Sequence, residues 1–175
     1  REEILRAYPK SKPIVDNIIS LSDELGIPDP GWLANLIRFE TGGSFSPSVR
    51  NSKSGATGLI QFMPSTAKGM GTTTTALAGM SHKKQWVYVR KYLKRKAKAG
   101  SKKWQNPTDV YMAVFYPWAM GRGRDVSLAD HWTSRKPKKR NKNTFIKQNG
   151  GIETAQDYAN YANKSAKLPT HYCTD

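Results

Sequence analysis

The sequence has almost no cysteine. Cys173 stands alone, so no intrachain disulfide can form and the fold must rest on its core. Acidic residues are scarce too: 13 Asp and Glu face 29 Lys and Arg, giving a formal charge of +16. That imbalance suits a polyanionic partner, either nucleic acid or an anionic bacterial envelope polymer. No apolar run approaches the roughly 18 to 20 residues needed to cross a membrane, so the chain is expected not to be transmembrane. His82, His131 and His171 lie far apart and no HExxH pattern occurs, so neither a metal nor a cofactor is expected. No signal-peptide pattern is visible either, and work outside a cell would need another means of delivery.

What is present reads as a folded globule. Hydrophobic residues make up 37% of the 175, with five Trp and eight Tyr. The length fits one domain with a sizeable core, or two small lobes around one cleft. No internal repeat is found. Pro13–Leu25 carries an apolar stripe at Ile14, Ile18, Leu21 and Leu25 and stops at Gly26. Pro64 opens a short helix through Lys68, and Thr72–Thr75 reads as a turn. Ser81–Lys98 reads as a long basic helix with Trp86, Val89, Tyr92 or Leu93, and Lys96 along one side. "GSKKWQNP" breaks it. Asn106 or Thr108 can cap an apolar helix from Asp109 to about Met120, which Pro117 should kink or end. "GRGRD" reads as a turn, "SRKPKKRNKN" as a basic loop, and Glu153–Lys164 as a closing helix. The coarse reading is mainly α.

The stretch "IPDPGWLANLIRFETGG" has the strongest helix signals. Asp29 can cap, Pro30 fits the first helical position, and Gly42-Gly43 stops the helix. Leu33, Leu36, Ile37 and Glu40 share one face, which puts Glu40 at the end of an apolar surface. Burial there should raise its pKa and keep it protonated near neutral pH. Residues 41–108 contain no other Asp or Glu. Residues 41–58 are rich in Gly, Ser and Asn and read as a long binding loop.

Glu40, Pro47, Gly55-Ala56, Gly58-Leu59 and Gln61, within "ETGGSFSPSVRNSKSGATGLIQFMPSTA", form a pattern. It resembles the motif of lysozyme-like lytic transglycosylases: a glutamate ending a helix, a loop to "GAxGLMQ", then "MP" and a short helix. The loop here is about three residues longer, and Ile60 takes the place of the usual Met. A later family block, "AxYNxG", is matched to "AVFYPWAMGRG". This places its tyrosine on Tyr116 and replaces its Asn with Pro117. "FYP" and the final "NGGIETAQDYANY" are similar to bacteriophage tail and cell-wall-degrading variants. The resemblance is clear over Trp32–Thr66 and weaker out to Tyr161.

The resemblance implies a mainly α, lysozyme-like fold: a helical globule with a long substrate-binding loop region beside a cleft. It implies one catalytic domain over residues 1–175, with 1–12 and 168–175 peripheral. The implied activity is cleavage of the β-1,4 bond between N-acetylmuramic acid and N-acetylglucosamine in peptidoglycan. Glu40 would act as acid and then as base, leaving 1,6-anhydromuramic ends. The family mechanism uses no second carboxylate, in keeping with the acid-free stretch after Glu40. Gln61 and the backbone near Ser54 and Gly55 would hold sugar amides. Tyr116 would orient Glu40 or an acetamide, and Ile60 and Phe62 complete the implied substrate-binding set.

Alternatives stand beside this. Phe62, Trp86 and Trp118 could stack on sugars or simply fill the core. Gln61 could be a cap to the loop. Asp125, after a glycine turn, is the candidate second acid of a hydrolytic muramidase that positions a water. An inactive wall-binding or structural virion module is a third reading. The run Lys136, Lys138, Lys139, Arg140 and Lys142 could steer the chain toward anionic envelope polymers. A nucleic-acid binder is a reading of another class, but no zinc-finger, basic-zipper or RNP signature supports it. The expected partners are peptidoglycan strands, other anionic wall polymers and further phage tail domains. The expected location is a phage virion, or a phage-produced protein delivered to the periplasm or cell wall.

Overall fold

The computed structural model describes residues 1–99 and 104–170. Among them every regular element is helical: α1 (Glu2–Ala7), α2 (Val15–Leu25), α3 (Pro30–Glu40), α4 (Pro64–Gly69), α5 (Thr74–Ala78), α6 (His82–Ala99), α7 (Pro107–Phe115), α8 (Leu128–Ser134), α9 (Lys142–Gln148) and α10 (Ala155–Asn163). Short 3-10 turns cover Pro9–Ser11 and Pro117–Ala119. Among the described residues no helix is long and apolar enough to cross a membrane.

The expected helix signals act as read. Asp29 accepts a hydrogen bond from Gly31 N at 2.7 Å, and Pro30 opens α3. Gly26 ends α2 in the left-handed region at φ +75°. At the other end of α3, Thr41 N and Thr41 Oγ1 both donate to Ile37 O. Every residue from Gly31 to Ile37 is buried, so α3 is covered on all sides rather than on one face. It packs against α2, α7 and α10. The core runs continuously from Ile4 to Leu168.

The expectation of a lysozyme-like fold is corrected here. That fold carries a β-sheet subdomain, and the described residues form no strand. Only single bridges occur, Arg50 with Thr57, Thr57 with Phe62, and Ser127 with Thr154. The physical reason lies in the composition of the loop. Its backbone N–H groups are taken by nearby side chains instead of a ladder: Phe45 N by Thr41 Oγ1, Ser46 N by Ser44 Oγ, and Lys53 N and Ser54 N by Asn51 Oδ1.

Residues near the start of the chain and at Leu168 enter the core. Ile4, Tyr8 and Ser11 are buried, and so is Leu168. The Tyr8 hydroxyl donates to Asn35 Oδ1 at 2.6 Å and accepts from Lys167 N at 2.7 Å. Asn35 Nδ2 donates to Leu168 O at 3.2 Å. Both ends are therefore tied to the middle of α3. Residues 171–175, with His171 and Cys173, lie outside the described residues.

Several boundaries differ. The sequence predicts a turn at Thr72–Thr75, but Thr73 caps α5 by accepting from Ala76 N. The basic loop holds the start of α9, which Asn141 caps by accepting from Asn143 N. Helix α7 ends at Phe115, because Pro117 cannot continue it. The chain then turns through Pro117–Ala119 and is pinned back when Gly121 N donates to Asp109 Oδ1 at 2.7 Å.

Candidate functional site

Glu40 is the last residue of α3, at the mouth of the long loop. It is only partly covered as a residue, yet protein atoms crowd its carboxyl. Burial alone pushes its pKa up to about 8. No cation and no second acid acts on it among the described residues. At neutral pH this carboxyl therefore carries a proton.

Three tyrosines stand near enough to sense its charge: Tyr92 from α6, Tyr111 from α7 and Tyr158 from α10. Burial is the main cause of the rise in each. Tyr92 is pushed up to about 12, with Glu40 adding to the effect. Tyr111 and Tyr158 are raised as well, again with a contribution from Glu40. Tyr92 donates to Ala113 O at 3.0 Å, and Tyr111 donates to Asn163 Oδ1 at 2.8 Å. Phe39 packs edge-on against Tyr111, Tyr158 and Tyr161, which fixes the aromatic wall next to Glu40.

The loop has its own scaffold. Gln85 of α6 is fully buried. Its Oε1 accepts from Leu59 N at 2.8 Å, and its Nε2 donates to Pro47 O and Leu77 O at 2.8 and 2.9 Å. Gly58 lies directly over this amide. A Cβ there would collide with Gln85, and φ is +93°. Gln61 adopts φ +54° and donates from Nε2 to Val49 O and Gly58 O, both at 3.1 Å. Its donor end thus caps the loop, leaving Oε1 able to accept from a ligand. Gln61, Ile60 and Phe62 share a small opening with Tyr92 and Val114.

The other expected site residues fall as follows. Ser54 is exposed, and its Oγ accepts from Ala56 N. Gly55 sits at φ +74°. Ile60, Phe62 and Trp86 are core residues, with Phe62 edge-on to Tyr92. Asp125 is exposed and makes no side-chain hydrogen bond or ion pair among the described residues. Tyr116 does not orient Glu40; its hydroxyl bonds His131 Nδ1 at 2.8 Å. Trp118 stacks on the same histidine. Among the described residues, no three His, Cys, Asp or Glu side chains cluster as a metal site.

Sequence reasoning missed the tyrosine wall and Gln85. Tyr92 and Trp86 were read on one helix face, but nothing in that spacing says which other helices meet it. No protein-family model matches the chain, and no curated protein matches it.

Proposed function

We propose that the chain is a peptidoglycan lytic transglycosylase that cleaves the β-1,4 bond between N-acetylmuramic acid and N-acetylglucosamine. The observation that carries this reading is Glu40: an acid held protonated by burial at the edge of a loop, with no second acid acting on it. The neutral carboxyl gives its proton to the glycosidic oxygen as the C1–O bond breaks, and the bond's electron pair stays with the leaving oxygen. The carboxylate left behind then takes the proton of the muramic C6 hydroxyl, whose oxygen closes on C1. Glu40 is protonated again, no water is consumed, and the product ends in a 1,6-anhydro ring. An internal hydroxyl has a large proximity advantage over water.

Hydrolysis would need a group to place water, and the exposed Asp125 makes no contact that would position it for this. The loop held by Gln85 and Gln61 supplies backbone groups and the Gln61 Oε1 for sugar amides. We place the protein at the bacterial cell wall, as a virion component or as a phage-produced protein delivered there. The test is mass spectrometry of peptidoglycan digests before and after borohydride. Ends that resist reduction, and are missing with Glu40→Gln protein, are expected. Reducible muramic ends contradict the reading.

A further inference from the structure

Consecutive residues at the end of α7 line two openings. Val114 lines the small one beside Gln61 and Tyr92. Phe115 lines a larger one of about 450 Å³, with Tyr116, Trp118, His131, Arg135, Lys136 and Arg140. Phe115 also stacks on Tyr158 with ring centroids 4.1 Å apart, and Tyr158 senses the Glu40 charge. The larger cavity thus begins one ring away from the wall around Glu40.

Its chemistry is one-sided, with three cations in the lining and no acid. Arg135 and Lys136 are exposed and form no ion pair among the described residues. Arg140 lies over Trp132 at 4.6 Å and donates to Trp132 O at 3.1 Å, so its partners are neutral and its charge is uncompensated. His131 lies flat on Trp118 at 3.6 Å, and Arg122 covers the same indole at 4.5 Å. The rings are packed against one another, so the pocket offers charge rather than an open stacking surface. With His131 Nδ1 engaged by Tyr116, Nε2 is its free edge. Burial first, then Arg135 and Arg122, lower the His131 pKa, while Arg140 and Arg135 pull against the rise of Tyr116. Arg135 acts on both groups, with Arg122 adding at His131 and Arg140 at Tyr116.

We infer that this cavity is an anion subsite that takes a carboxylate of the stem peptide carried by the muramic sugar. The inference rests on the glycosidase reading. The peptide is attached to the sugar that bears the cleaved bond, so its free carboxylates lie within a short peptide's reach of that bond. The volume suits a short peptide segment, and the planar guanidinium forks of Arg135 and Arg140 match a carboxylate.

The test uses Glu40→Gln protein, so that binding is read without turnover. It is titrated with a peptide-bearing glycan fragment, with the same fragment lacking peptide, and with the peptide-bearing form amidated at its carboxylates. Calorimetry gives Kd, and NMR follows the His131 ring. The carboxylate form is expected to bind tightest and to be the one that shifts His131. Adding Arg135→Ala and Lys136→Ala, both at exposed positions, should weaken its binding about tenfold and leave the peptide-free fragment unchanged. Equal affinity for all three ligands, or a loss common to all three, overturns the subsite. A stronger response to inorganic phosphate than to the peptide carboxylate also overturns it. Failure of the parent reading shows elsewhere, as wild-type digests without anhydro ends; binding of none of the ligands together with no products contradicts both.

Discussion

Glu40 holds its proton because burial penalises the carboxylate, and this sets the pH behaviour of the site. With a pKa of about 8 it is about 90% protonated at pH 7. The rate constant kcat/KM should therefore fall above about pH 8, approaching tenfold per pH unit, because the first step needs the acid form. A pH–rate profile on a soluble glycan checks this. Glu40→Gln should lower the rate by about a thousandfold or more. The same variant should gain stability, with a defined sign. The folded-state pKa lies above the ordinary value of 4.5, so Glu40 favours folding below about pH 4.5 and loses that contribution as pH rises through about 8. At pH 9 the wild type buries a carboxylate that Gln avoids, so the variant should be more stable there by about 1–3 kcal/mol and little changed at pH 4. Denaturant melts at the two pH values measure this. Tyr158→Phe and Tyr116→Phe should both leave the pH limb in place, since both phenols stay neutral around pH 8 and burial alone raises Glu40. Glu40 was legible because Asp29, Pro30 and the two glycines mark the helix it ends. The tyrosines were not, because they come from three helices distant in sequence. Tyr116 was matched by motif alone, and the turn at Pro117 carries it to His131 instead.

At the scale of elements, the loop after α3 stays in place because α6 reaches into it. Gln85 satisfies Leu59 N, Pro47 O and Leu77 O from a fully buried position. Gln85→Leu strands these three groups and should cost about 2–4 kcal/mol of stability, read by thermal or chemical melts. Activity should fall beyond the unfolded fraction, because Gln61 loses the loop that holds it. Such a keystone is hard to see in a sequence, where a Gln between Lys84 and Trp86 reads as an ordinary helix-surface residue. The short helices α5 and α9 were hidden for a related reason. Both are short, with Thr74 and Thr75 opening α5 and Asn143 and Thr144 near the start of α9, and the capping bonds at Thr73 and Asn141 help fix them. The long helices were legible from period and punctuation, and the absence of strands among the described residues fits the loop's use of Ser, Thr and Asn side-chain partners.

For the whole molecule, a charge of +16 acts at long range without doing chemistry. Association with an anionic wall should weaken steeply with salt, while turnover of a short uncharged glycan should not. Comparing kcat/KM on intact sacculi and on such a fragment between about 50 and 200 mM salt separates the two. Equal salt response on both substrates would remove steering as the role of the charge. The two ends of the chain, joined through Tyr8, Asn35 and Lys167, hold α3 from outside the helices that surround it. Composition foretold the charge but not this closure, which depends on one tyrosine hydroxyl near the start of the sequence meeting Asn35 and Lys167.

In the proposed reaction one glutamate with a crowded carboxyl performs both proton transfers, and the sugar's own hydroxyl, not water, closes on C1. Digestion of peptidoglycan in oxygen-18 water tests it most directly. Product ends free of the heavy oxygen, each lighter by one water than a reducing end, are the expected result. Incorporation of one oxygen-18 at the muramic C1 would contradict it and make the reaction a hydrolysis.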